Sequence, residues 1–268
     1  MRSLHAALHA DRIDDTTFRL VIDDGWQQGR GAFGGLVVGA LVRAASVVTA
    51  DAARRVRSVT AELLGPVLVG DATLKVERLR QGSGVSGVRV RLLQAEGQGR
   101  APDELAQAVV VVAKDRPGTP SWNQLSAPPL PDWRAVPEAH LAPPLAPVFT
   151  QHFEFRVTGA LPYSSAGRAT AQGFVRPKAH GVVDDAVIAA CADAWWPAAL
   201  ATFDAPRPTA TITYALELHD VAVDADEPLF HDARCEVAAA GYATEHRALW
   251  TPSGRLVAQN QQVFAIIR

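Results

Sequence analysis

The sequence predicts an α+β chain built from two copies of one unit, each a buried helix followed by four antiparallel strands. Three observations predict this. Two segments of helical length are apolar on nearly every side, eight strand patterns follow them in two matched groups of four, and a proline-rich stretch separates the groups.

The first helix is expected over 36–48, entered through Gly34-Gly35. Leu36, Val37, Val38, Ala40, Leu41, Val42, Ala44 and Ala45 leave it no polar face, so it must be buried. Strands are expected over 56–64, 72–80, 85–94 and 105–114, where β-branched or alternating apolar residues recur. Nine of the 18 prolines then fall between Pro117 and Pro147. Proline lacks an N–H donor, so this stretch reads as a semi-rigid surface linker and divides the chain into 1–116, 117–147 and 148–268. The second helix is expected over 182–194, entered through His180-Gly181, with strands over 210–218, 229–238, 242–250 and 256–267. Order and spacing repeat those of the first group. Short turns make each sheet antiparallel, and the natural partner for its apolar face is the unit's own helix.

Composition excludes several classes of function. The chain has 268 residues, 48% hydrophobic and 20% charged, with a net charge of -2, enough apolar material for a large core and no basic stripe for nucleic-acid phosphates. No nucleic-acid partner is expected. The two cysteines, Cys191 and Cys235, form neither a disulfide framework nor a metal-binding pair, which fits a reducing compartment. No apolar run approaches the roughly 18 residues that a spanning helix needs, and the first residues lack a signal-peptide core, so a cytoplasmic location and no membrane partner are expected.

Two stretches match Gly-x-Gly-x-x-Gly. Gly82-Ser83-Gly84-Val85-Ser86-Gly87 lies between two strands and reads as a hairpin turn. Gly29-Arg30-Gly31-Ala32-Phe33-Gly34 precedes a helix, but the strands that follow are not the alternating strand-helix units of a dinucleotide fold. No cofactor is expected, and the nicotinamide-dependent oxidoreductase reading is set aside. There is no Gly-x-Ser-x-Gly elbow and no histidine pair at metal-ligand spacing, so no metal is expected. The eight histidines are scattered and read mostly as surface or linker residues. A helix beginning at glycines still offers free backbone N–H groups to a negative oxygen.

Asp193 is the anomaly. It is a carboxylate in a helix that is otherwise apolar, too far from the first turn for the helix dipole to explain it as it explains Asp184 and Asp185. Either it is surrounded by donors or a wet gap, or it caps the corner near Pro197. Asn260 and Gln262 are the second anomaly, placed by alternation on one face with Leu256, Ala258, Phe264 and Ile266. They are either partnered in the core or lie on an edge strand whose other face carries Gln259 and Gln261.

Several stretches resemble the acyl-CoA thioesterase II group of the thioesterase-like superfamily. In the second half these are Cys191-Ala192-Asp193-Ala194-Trp195-Trp196-Pro197-Ala198-Ala199-Leu200, Ala210-Thr211-Ile212-Thr213 through His219, and Leu256-Val257-Ala258 through Gln262. In the first half they are Phe33-Gly34-Gly35-Leu36-Val37-Val38-Gly39 and Arg57-Ser58 through Gly65-Pro66. The resemblance implies a tandem, or double, hotdog, each half a long central helix wrapped by an antiparallel sheet, and a homo-oligomer, dimer or higher. It also implies that Asp193, Thr211 and Gln262 hold an attacking water, with acyl-CoA as substrate. The chain departs from the family pattern at Thr213-Tyr214-Ala215, where these enzymes usually carry Asp-His-Ser.

The implied chemistry is physically sufficient. A thioester carbonyl is electrophilic and its leaving thiol has a pKa near the roughly 8.5 of a cysteine-like thiol, so hydrolysis needs little beyond a placed, partly deprotonated water. Asp193 would be the base, and the helix start at Gly34 and Gly35 would supply N–H groups to the substrate oxygen. In the first half Val111 stands where Gln262 stands in the second and Val47 lies near the place of Asp193, so one active site per chain is expected. A non-catalytic acyl-CoA or lipid binder is the alternative reading, and an acyl-CoA hydratase, which would want a histidine beside Asp193, a weaker one.

Overall fold

The computed structural model describes residues 2–95, 101–144, 146–179, 181–219 and 222–267; His180 lies outside them. Twelve strands form one antiparallel sheet, and its order reads as a palindrome about the centre. From the first half come β1 (Ala10–Arg12), β2 (Thr17–Ile22), β5 (Arg54–Leu63), β6 (Gly70–Gln81), β7 (Val85–Gln94) and β8 (Asp103–Lys114). From the second come β9 (Phe153–Val157), β10 (Thr170–Pro177), β11 (Thr209–Leu218), β12 (Leu229–Ala239), β13 (Tyr242–Trp250) and β14 (Leu256–Ile266). The order is β1-β2-β6-β7-β8-β5 and then β11-β14-β13-β12-β10-β9. β5 and β11 are hydrogen-bonded neighbours, with Thr213 opposite Glu62 and Glu217 opposite Ser58. All eight expected strands are present. Each half carries two more, β1–β2 and β9–β10, which the sequence reading missed because they are short or interrupted by charge.

A short helix, α1 (Leu4–Ala7), opens the chain, and a small ribbon of β3 (Gln27–Gln28) and β4 (Gly31–Ala32) leads into α2 (Gly34–Thr49). The Gly29-Arg30 turn of that ribbon takes up the first glycine-rich motif. Gly82, whose N–H donates to the Val85 carbonyl, closes the β6–β7 hairpin that takes up the second.

The helices differ in length, which corrects the expectation of a long helix in each half. α2 has 16 residues, whereas α3 (Asp185–Asp193) has nine. The Asp184 carboxylate accepts from Val187 N at 3.0 Å and so caps the helix one residue before its first turn, leaving 182–183 outside; Pro197 blocks continuation at the other end. α2 and α3 pack on each other. Gly35 and Gly39, one turn apart, make the close approach possible, since a Cβ on either would lie 2.6 Å from the Ala190 carbonyl or 2.9 Å from that of Ala186. Arg43 of α2 ties the same crossing to Asp184 at 2.7 Å.

Both helices lie under the sheet in one continuous core. On the opposite face of the second half, Phe174, Phe230, Trp250 and Leu256 form a small cluster covered by Ala127, Leu130, Trp133 and Val136 of the proline-rich segment. That segment has a single helical turn, Trp133–Ala135, among its described residues. Trp133 lies under the guanidinium groups of Arg134, Arg156 and Arg176, the last two also paired with Glu154.

Two histidines are exceptions to the expectation that most lie on the surface or in the linker. His152 stacks on Trp26 with ring centroids 3.7 Å apart, and His231 is fully buried against Trp195. Burial holds both imidazoles below the usual histidine range, His231 far below it with Arg247 adding to the effect. Both cysteines are free thiols.

Candidate active site

Asp193 is the last residue of α3, where the backbone turns into the Trp195-Trp196-Pro197 corner and aims the carboxylate back into the protein. It is 7% exposed. Gln262 projects from the core face of β14 and is fully buried; β14 runs between β11 and β13, so the edge-strand reading of this amide face is wrong. Gln262 Nε2 donates to Asp193 Oδ1 at 2.8 Å, and Gln262 Oε1 accepts from Thr211 Oγ1 at 3.2 Å. The structure thus brings Asp193, Gln262 and Thr211 into one hydrogen-bonded chain. Thr211 sits beside a β-bulge between Thr211 and Thr213, which turns β11 at that point. Asn260 supports the amide from below: its Oδ1 accepts from Gln262 Nε2 at 3.0 Å and its Nδ2 donates to the Ala215 carbonyl at 2.7 Å.

Gly34 and Gly35 are also here, and their N–H groups are placed differently. The Gly35 N–H donates to the Asp193 carboxylate and is not left for a substrate oxygen. Gly34 lines the adjacent cleft, with no room between it and Asp193 for a side chain. The positive end of α2 therefore points at Asp193.

Sequence reasoning missed two residues. Arg247 and Glu245 lie on the core face of β13, 4% and 0% exposed. Arg247 Nη1 donates to the Ala192 carbonyl at 2.9 Å and to Asp193 Oδ1 at 3.3 Å, while its Nε donates to Glu245 Oε1 at 2.8 Å. Glu245 Oε2 accepts from Ala198 N at 2.6 Å. The signal was present in the alternation Ala243, Glu245, Arg247, Leu249, which puts two charges on an apolar face. Burial raises the Asp193 carboxyl above the ordinary carboxylate range, opposed by Arg247, Gln262 and Gly35.

A cleft of about 550 Å³ between the two halves reaches Asp193, Thr211 and Arg247 of this set. Its walls include the Gly29-Arg30-Gly31 turn, Leu63 and Val67 from the first half, and Trp195, Pro197 and Ile212 from the second. The N-terminal domain model of acyl-CoA thioesterases matches residues 22–113, and the C-terminal domain model matches residues 124–266. The chain belongs to the acyl-CoA thioesterase family. No curated protein matches this sequence. Among solved structures, a hot dog fold protein of unknown function from Alicyclobacillus acidocaldarius is similar at a TM-score of 0.86 and 19% identity, covering 100% of this chain and 99% of that one. A Thermobifida fusca protein assigned as a thioesterase II gives 0.84 at 20% identity over 100% and 98%. The acyl-CoA thioesterase II TesB2 of Mycobacterium marinum gives 0.75 at 19% over 98% of each. These likenesses show the hotdog fold.

Within this thioesterase-family chain the strand registers and helix caps of the two halves can be matched. The bulge in β5 between Val56 and Ser58 matches that in β11 between Thr211 and Thr213, which sets Val56 against Thr211 and Val59 against Tyr214. Val110 pairs with Val59 as Gln262 pairs with Tyr214. Counting from the helix caps, Val42 stands where Asp193 does. The first-half counterparts are therefore Val42, Val56 and Val110, correcting Val47 and Val111; Val111 lies on the opposite face of β8 from Val110.

Proposed function

We propose that the protein hydrolyses acyl-CoA thioesters to a free acid and CoA, with Asp193 as general base and Thr211 and Gln262 holding the water. The observation that carries this is the Asp193–Gln262–Thr211 chain opening on the inter-half cleft. A carboxyl whose proton affinity is raised by burial is a better base near neutral pH than an ordinary one. Water attacks the thioester carbon as its proton passes to Asp193, and the C–S bond then breaks, releasing the CoA thiolate, which takes up a proton. Gly34, at the first turn of α2, offers an N–H toward the developing oxyanion. With Val42, Val56 and Val110 in the other half, each chain carries one such site.

Thiol release across short, medium, long and aromatic acyl-CoAs tests the reading. Turnover that disappears in Asp193→Asn supports it. A folded protein that binds acyl-CoA without turnover is a binding module instead.

A further inference from the structure

Glu245 and Arg247 form, with Asn260 and Gln262, a buried rectangle of four polar side chains. Across the β13–β14 ladder Glu245 stands opposite Gln262 and Arg247 opposite Asn260. A charged pair in an otherwise apolar interior is costly and contributes little net stability, so its presence needs another reason. The contacts supply one. Arg247 holds the Ala192 carbonyl on one side of Asp193, and Glu245 holds the Ala198 N–H at the far end of the corner that follows it. The same Arg247 nitrogen reaches Asp193 Oδ1 at the longer distance of 3.3 Å, because Glu245 draws the guanidinium the other way.

We infer that Glu245 and Arg247 are positioning residues that fix the Asp193 carboxylate at the mouth of the cleft and keep it from collapsing into a tight ion pair. The inference rests on the thioesterase reading for its catalytic consequence only. An aspartate paired closely and exclusively with arginine is a poor proton acceptor; one facing an arginine already shared with a glutamate keeps its basicity. The other titratable groups around Asp193 are Tyr214 of β11 and Cys191 of α3. Burial raises the Tyr214 hydroxyl, which donates to the Ala189 carbonyl at 2.8 Å, and pushes the Cys191 thiol up to about 12, so both stay neutral. Arg30 lines the same cleft from the β3–β4 turn. Glu245 and Arg247 are thus the charges that bear directly on Asp193 from within the core.

The experiment titrates the Asp193 side-chain carboxyl by ¹³C NMR, assigned by its loss in Asp193→Asn, and measures kcat and KM on the same variants. Glu245→Gln should lower the Asp193 midpoint and Arg247→Met should raise it, each by about one unit, the low end for a neighbouring charge. Arg247→Lys retains the charge but cannot span Glu245 and Ala192 together. It should keep a near-native midpoint yet lose about tenfold in kcat with little change in KM. If Arg247→Met does not fold, Glu245→Gln/Arg247→Met, which leaves no unpaired glutamate, takes its place and should also show a raised midpoint. Opposite shifts establish the positioning role. Folded variants that keep the wild-type midpoint, or an Arg247→Lys protein with wild-type kcat, overturn it. Wild-type protein without turnover on any acyl-CoA would end the thioesterase reading, while the NMR midpoints would still decide this one.

Discussion

Asp193 Oδ2 lies 2.7 Å from the point that a Cβ on Gly34 would occupy. No L side chain fits there without displacing the carboxylate. Gly34→Ala should therefore cost kcat first, by about tenfold or more, with a modest effect on melting. Gly35→Ala should do the reverse, since its Cβ would meet the Ala190 carbonyl at 2.6 Å, a backbone atom that cannot move aside. Thermal melting and kcat measured on both variants check this separation; equal loss of stability in the two would contradict it.

Asp193→Asn should lower kcat by about a hundred- to ten-thousand-fold while KM changes little. It should not lower the melting temperature at neutral pH. The reason is the sign of the pKa shift: a carboxyl raised in the folded state contributes stability below its unfolded pKa, and that contribution is lost as pH rises through the folded value. Where the aspartate is ionised it is thus a burden that the amide removes. Clear destabilisation with retained turnover would mean a structural role.

Thr211→Val and Gln262→Ala should each cost less than Asp193→Asn, and the double variant less than their product, because the two share a hydrogen bond and, in the proposed reaction, one water. Independent, multiplicative losses in kcat would separate the two residues.

The acid limb of kcat/KM should lie above the ordinary carboxylate range, following the raised Asp193 carboxyl. Stability should fall over a separate acid window. His231 has a folded pKa well below its unfolded one, so the stability it contributes is present above the unfolded pKa and lost as pH falls toward the folded value. Its ring nitrogens have no hydrogen-bond partner among the described residues, and His231→Phe preserves a ring against Trp195. That variant should resist acid unfolding and gain about 1 kcal/mol at neutral pH; unchanged acid unfolding in circular dichroism would refute the assignment.

Calorimetry of Asp193→Asn with a non-turned-over acyl-CoA should give one molecule bound per chain, as expected from valines at 42, 56 and 110. Two equivalent sites would count against this.

Much of this was legible in the sequence because strand alternation and all-apolar helices are local patterns. The eight strands from β5 to β8 and β11 to β14 follow from them, and Asp193 and Gln262 stood out as polar residues on apolar faces. Glu245 and Arg247 carried the same signal but were masked by flanking Thr244 and His246, which make β13 read as evenly polar. The direction of the Gly35 N–H could not be read, because it depends on α2 and α3 packing against each other, a contact between residues more than 150 positions apart. The short α3 follows from Asp184, whose choice between cap and first turn is settled only by its own hydrogen bond to Val187.

The seam between β5 and β11 also determines what would happen if the chain were cut in the proline-rich segment. Each fragment would end its sheet on a full-length strand with unsatisfied N–H and C=O groups, in register for the other. Such fragments are self-templating: expressed together they should find one another and rebuild the cleft, and expressed apart each should pair with its own kind or aggregate. The covalent link would then ensure that every Asp193 meets a valine-filled half, and never a second copy of itself.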